Sequence, residues 1–120
     1  NPTFETLSRA VALGRKEKID FILAVGGGSV MDGSKFIAAA IPFKGKDTWQ
    51  IVASHGEIVK TAIPMGTVVT LPATGSEMNS FAVISKSMTL INNILVTEHR
   101  VSAGTCVMIS ISTKTSTCRL

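Results

Sequence analysis

Three glycines and a serine, Gly26-Gly27-Gly28-Ser29, stand between an apolar run, Ile19 to Val25, and an apolar, alanine-rich run that begins near Val30. Glycine opens backbone conformations closed to other residues and lets the main chain come close to a ligand. A helix that follows such a turn aims unpaired N–H groups and the positive end of its dipole at whatever lies above, which suits an anion. The chemistry encoded by this order is phosphate or nucleotide binding, and the alternative is a plain strand-to-helix turn. Ser29 and Asp32 share that double reading. Ser29 can cap the helix and Asp32 can favour its dipole, a contribution of about 1 kcal/mol. A carboxylate this close to a pyrophosphate is repelled by it, so a ligand role for Asp32 requires donors such as ribose hydroxyls or an amide.

Neither common nucleotide fingerprint is present. Met31 takes the third glycine position of G-x-G-x-x-G, and after Gly33 the order Ser34-Lys35 inverts the Lys-then-Ser/Thr of a P-loop. His55 and His99 lie far apart, and neither stands four residues from an Asp or another His, so both read as surface or loop histidines and no metal site is encoded. Cys106 and Cys118 fit no metal or redox spacing and read as ordinary thiols. The chain offers a cofactor platform without an evident catalytic acid, base or nucleophile.

The surrounding pattern predicts the elements that hold this platform. Asn1-Pro2 can serve as N-cap and first helical residue. Phe4, Leu7 and Val11 follow at helical spacing, and Glu5, Arg9, Arg15 and Lys16 are left for solvent. Arg15, Lys16 and Lys18 read as a solvated helix end. Ile19 to Val25 is apolar apart from Asp20, as in a parallel strand covered on both faces. Val30 to Ala40 should pack on that sheet as a helix ended by Ile41-Pro42. Asp47 can cap a short helix through Trp49 and Val52, which His55-Gly56 breaks. A second buried strand is predicted at Thr67 to Leu71. It leads into the turn Pro72 to Glu77, where Thr74 and Glu77 have capping-box spacing. Two parallel strands thus end in Gly/Ser/Thr loops on one carboxyl edge, where open α/β folds bind ligands. Phe81 to Ile84 reads as one more short strand. Beyond Ser87 the pattern loosens, and Val107, Ile109 and Ile111 alternate within a Ser/Thr-rich stretch that reads either as an edge strand or as a disordered end.

Composition narrows the function classes. The 120 residues, 45% hydrophobic, suffice for one core. A mild, scattered net charge of +4, 5% aromatic residues and no Tyr argue against a nucleic-acid surface. Phe36 to Pro42, the longest apolar run, is too short to span a bilayer, and no signal peptide is expected from the opening residues. No membrane partner is expected, and the cytoplasm is the expected location.

Asn1-Pro2-Thr3, Ile22-Leu-Ala-Val-Gly-Gly-Gly-Ser-Val-Met-Asp32 and Thr70-Leu-Pro-Ala-Thr-Gly-Ser-Glu77 resemble the iron-containing, metal-dependent alcohol dehydrogenases, nearest to the butanol-dehydrogenase-like NADPH aldehyde reductases. The resemblance runs from Asn1 to about Ser87. It implies a three-layer Rossmann-like parallel sheet, part of a dehydroquinate-synthase-like fold, that binds NADP or NAD. Gly27, Gly28 and Ser29 would hold the cofactor pyrophosphate. Asp32, Thr70, Leu71 and Thr74 would line the rest of the cleft, with Asn1, Asn79 and Phe81 as further carry-overs. The complete enzyme would interconvert small primary alcohols and aldehydes by hydride transfer, as a possible homodimer. Its C-terminal helical domain would bring Fe²⁺ or Zn²⁺ on an Asp-x-x-x-His pair and two further histidines.

Departures from the family pattern shape the remaining expectations. The family's strand and glycine loop before Asn1 are missing, Lys86 does not match its cofactor-contacting lysine, and no Asp-Pro follows. Residues 1–87 are accordingly expected to be a partial dinucleotide-binding domain and 88–120 a diverged or disordered tail. Such a fragment, lacking the metal domain, is expected to be inactive alone. The alternatives are a non-catalytic nucleotide-binding remnant and, in the same superfamily, a polyol dehydrogenase or dehydroquinate synthase; the Thr70 to Glu77 loop favours the alcohol dehydrogenases.

Overall fold

The computed structural model describes the backbone of residues 1–86, 89–96 and 108–110 and the side chains of residues 1–86. The apolar spacing of the first segment builds helix α1, Phe4–Lys16, which buries Leu7 and Val11. It begins two residues later than Asn1-Pro2 predicts, with Thr3 as N-cap. The first residues have another use. The Pro2 carbonyl accepts the Ser85 N–H at 3.0 Å and Thr3 bridges Ser85 in parallel, so the chain enters extended before it coils.

Strand β1, Ile22–Gly26, leads into helix α2, Gly28–Ala40. A short helix α3, Trp49–Ala53, follows; its N-cap is Thr48 rather than the expected Asp47, whose carboxylate, one residue earlier, accepts the Trp49 N–H at 2.9 Å. Strand β2, Met65–Val69, then pairs in parallel with β1, from Ile22 opposite Met65 to Gly26 opposite Val69. Strand β3, Phe81–Lys86, and strand β4, Thr89–Val96, form an antiparallel pair with a bulge at Ser85/Lys86. Strand β5, Met108–Ser110, adds in parallel to β2, giving the order β1-β2-β5. Both β4 and β5 fall in the stretch read as a tail, and β5 takes the place expected of an edge strand. His99, Cys106 and Cys118 lie outside the described residues.

Ala24 of β1, Met31 of α2 and Val69 of β2 form one small core. A larger one gathers Leu7, Val11, Phe36, Ile51, Val52 and Ile84 from α1, α2, α3 and β3. Phe4 joins it edge-to-face with Phe36 and Trp49, and the Lys86 ammonium sits 4.9 Å from the Trp49 ring. The expectation that β1 is covered on both faces needs correction. Ala24 is buried, whereas Leu23 and Val25 are 62% and 53% exposed. Helix α2 covers only the Ala24 side, and the opposite face has no cover among the described residues. No helix among those residues is long and apolar enough to cross a membrane.

Arg15 is more than a solvated helix end. Its guanidinium donates to the carbonyls of Ala40, Ile41 and Phe43 at 2.6, 3.0 and 2.6 Å. A helix leaves its last carbonyls unpaired at the negative end of its dipole, and a fork of cationic donors satisfies both needs. Arg15→Met is therefore expected to lower stability by about 1–2 kcal/mol in urea unfolding, whereas Lys16→Met should stay within about 0.5 kcal/mol. Equal effects of the two variants would contradict the capping role.

Candidate functional site

The parallel register brings the carboxyl ends of β1 and β2 to one level, and the Thr70 N–H extends the ladder by donating to the Gly26 carbonyl at 3.1 Å. Gly26 has φ 156°, and a Cβ there would lie 2.6 Å from Val30 Cγ2. The chain can turn this tightly from strand to helix only without a side chain. Gly27 caps α2 with no side-chain bond, and its carbonyl accepts the N–H groups of Val30 and Met31 at 3.0 and 3.1 Å. The amides of Gly28 and Ser29 precede these and have no acceptor within the helix. A Cβ on Gly27 would meet no atom within 4 Å, so space lies open beside those amides.

The helix therefore starts before Val30, and Ser29 is its second residue rather than its cap. Asp32 stands beyond the first turn, so the dipole does not account for it. Its Oδ2 accepts the Val83 N–H at 3.0 Å, while its buried Oδ1 has no hydrogen-bond partner. Such an oxygen is costly to leave unpaired and is a ready acceptor for a ligand donor.

The loop after β2 closes the other side. Gly75 takes φ 70°, the Met78 N–H donates to the Gly75 carbonyl at 2.9 Å, and the hydroxyls of Thr74 and Ser76 share a 2.9 Å hydrogen bond. No helix follows, so the Thr74/Glu77 spacing caps nothing; the loop runs directly into β3. Asn79 Oδ1 accepts the Phe81 N–H at 3.0 Å and Lys35 Nζ at 2.9 Å. Lys35 Nζ also donates to the Phe81 carbonyl at 2.6 Å and lies 3.9 Å from Asp32 Oδ1. Burial pushes the Lys35 ammonium below its ordinary range, against the opposing pull of Asp32 and Glu77.

These elements enclose a groove of about 390 Å³. Gly28, Ser29 and Asp32 line it from α2, Thr74 and Asn79 from the loop, Phe81 from β3, and Asn1 from the chain start. Three expected residues stand outside the lining. Gly27 caps the helix beside it, Thr70 extends the strand ladder, and Leu71 is 70% exposed. Ala73, Ser76 and Val83 line the groove without having been expected. The strand alternation that puts Phe81 and Val83 on one face carried a signal for Val83, and the Gly75-Ser76 turn carried one for Ser76. Ala73 had none.

Free amides, the open space at Gly27 and the unpaired Asp32 oxygen fit a dinucleotide, with phosphates at the helix end and hydroxyls or an amide near Asp32. Among the described residues no three His, Cys, Asp or Glu side chains converge on a metal position, so no step through a metal follows from them. His55, at φ 53°, is an exposed turn residue.

Sheet order, helix placement and glycine turn define a partial α/β, Rossmann-like domain of the dehydroquinate-synthase-like type. The chain belongs to the iron-containing alcohol dehydrogenase family, whose sequence pattern it matches over residues 1–110. It is 58% identical over 90 residues to the NADPH-dependent aldehyde reductase YqhD of Escherichia coli, covering 74% of this chain and 23% of that protein. It is 52% identical over 85 residues to the probable NADH-dependent butanol dehydrogenase 1 of Bacillus subtilis, covering 71% and 21%. The crystal structure of E. coli YqhD superposes with a TM-score of 0.83 at 48% identity, over 92% of this chain and 28% of that one. For NADH-dependent butanol dehydrogenase A of Thermotoga maritima the values are 0.79 and 34%, over 92% and 26%. The chain thus spans about a quarter of the length of the relatives it matches. Likeness reaches residue 110, past the Ser87 limit read from the motifs. Strand pairing by β4 and β5 continues the fold where the motifs stop.

The depressed Lys35 ammonium has a consequence for stability. With its folded pKa below the ordinary 10.5, the unfolded chain binds more protons between the two values, so stability from this group rises with pH across that window. Urea unfolding between neutral pH and pH ~10 should show this rise in the parent relative to Lys35→Met. An identical pH dependence in both would contradict it.

Proposed function

We propose that this chain is the cofactor-holding part of an oxidoreductase that interconverts small primary alcohols and aldehydes with NADP or NAD. The observation that carries the reading is the groove itself, with free helix amides at one end and, from Asp32 on its wall, a buried carboxylate oxygen without a hydrogen-bond partner. Support also comes from the relatives, one named an NADPH-dependent aldehyde reductase and another a probable NADH-dependent butanol dehydrogenase. A bound nicotinamide supplies hydride transfer. The amides of Gly28 and Ser29, with the Ser29 hydroxyl, bind the pyrophosphate, and bare Gly27 lets the phosphates approach. Asp32 Oδ1 accepts from a ribose hydroxyl or the nicotinamide amide. Thr74 and Asn79 offer polar contacts opposite, Phe81 gives an apolar surface, and Asn1 closes one end. Thr70 and Leu71 stand at the rim. In this reading Fe²⁺ or Zn²⁺ and its ligands belong to parts of the enzyme beyond this chain, which would act in the cytoplasm, as a homodimer when complete.

Gly27→Val places carbon where no protein atom lies but where the phosphates would sit. NADPH affinity, read by fluorescence titration, should fall about tenfold or more while stability changes by about 1 kcal/mol or less. Unaltered affinity would contradict the assignment. The purified chain should also carry no stoichiometric iron or zinc by elemental analysis and oxidise no alcohol, because its sequence holds only two histidines and no Asp-x-x-x-His pair. Stoichiometric metal together with turnover would overturn that expectation.

A further inference from the structure

The inverted order that disqualifies Ser34-Lys35 as a P-loop leaves a lysine whose ammonium is used elsewhere. Its side chain is only 11% exposed and lines no part of the groove, yet its Nζ reaches three residues that do. Asn79 Oδ1 lies at 2.9 Å, the Phe81 carbonyl at 2.6 Å and Asp32 Oδ1 at 3.9 Å. Asn79 and Phe81 lie more than forty residues from Lys35, at the junction of the loop with β3, whereas Asp32 is one turn away on α2.

We infer that Lys35 is a positioning residue for the groove: by tying Asn79 and Phe81 to the Asp32 turn of α2, it sets the wall that meets the nucleoside part of the ligand. The inference rests on the groove being a nicotinamide cofactor site. Stability alone is a poor account of this lysine. A buried ammonium is costly, and the 3.9 Å ion pair with Asp32, with Glu77 further off, offsets that cost only in part, since burial still lowers the Lys35 pKa. Its short hydrogen bonds go to Asn79 and Phe81, which leaves Asp32 Oδ1 open as an acceptor. The positive charge beside Asp32 also weakens the repulsion between that carboxylate and phosphates at the helix end. Lys35 thus acts on the wall and not on the amides of Gly28 and Ser29.

That division separates a positioning role from a merely structural one. NADPH reads the whole groove, whereas inorganic pyrophosphate reads the helix end alone. Lys35→Met should weaken NADPH binding about tenfold and leave pyrophosphate binding within about twofold, while Lys35→Arg, which keeps cationic donors, should retain NADPH affinity within about threefold. Asn79→Ala, which removes one acceptor of the ammonium, should weaken NADPH about threefold with pyrophosphate unchanged, and it serves if Lys35→Met loses its circular dichroism signature. Equal losses for both probes in these variants, or no loss for either, would overturn the inference. Gly27→Val separates the two readings. If it weakens both probes while Lys35→Met weakens neither, Lys35 alone is misassigned. If the parent chain binds neither probe, the cofactor reading falls and this inference with it.

Discussion

The groove depends on a backbone turn that no side chain can occupy. At Gly26 the chain leaves β1 with φ 156° and passes so close to Val30 that a Cβ would sit 2.6 Å from its methyl group. Helix α2 can therefore start at the strand end and present its first amides at the carboxyl edge. A wider turn would carry the helix away from the loop after β2, and a Cβ on Gly28, already 3.0 Å from Thr74 Oγ1, marks how closely the two come. Parallel pairing supplies the other half of the constraint. Because Gly26 lies opposite Val69, the two loops leave the sheet side by side, and the Thr70 N–H bond to Gly26 locks them at that level.

Charge in the groove is graded along its length. Unpaired amides and a helix dipole make one end receptive to anions, while a carboxylate stands on the wall. Lys35 reconciles the two by placing a buried cation beside Asp32, and Val83 holds the remaining carboxylate oxygen from the adjoining strand. A dinucleotide, with phosphates between nucleosides rich in hydroxyls and amides, matches such an arrangement better than inorganic phosphate alone.

Much of this was legible in residue types. Strand β1, its glycine turn and the alanine-rich helix announced themselves, and so did β2, because apolar runs punctuated by Gly, Ser and Thr leave few other arrangements. What escaped was tertiary. Arg15 reads as a solvated charge until the end of α2 is seen beside it, and Asp32 reads as a dipole partner until Val83 arrives from another element. Thr74 and Glu77 have the spacing of a helix cap, but the chain turns at Gly75 and enters β3 instead. The exposed Leu23 and Val25 show the same limit, since apolar character announces that a face can be buried and not whether this stretch of chain buries it. Residues after Ser87 carry weak local signals, yet β5 pairs with β2, because sheet register is set by the neighbouring strand as much as by the strand's own sequence.

The central claim is that the first turn of α2 receives the cofactor phosphates. Amide chemical-shift mapping of the ¹⁵N-labelled chain during titration with NADPH tests it at individual residues. The account predicts the largest shifts at Gly27, Gly28 and Ser29, with a second group at Thr74 to Ser76 and at Val83. Shifts that instead cluster on α1 and α3, with the Gly27 to Ser29 amides unmoved at saturation, would contradict it.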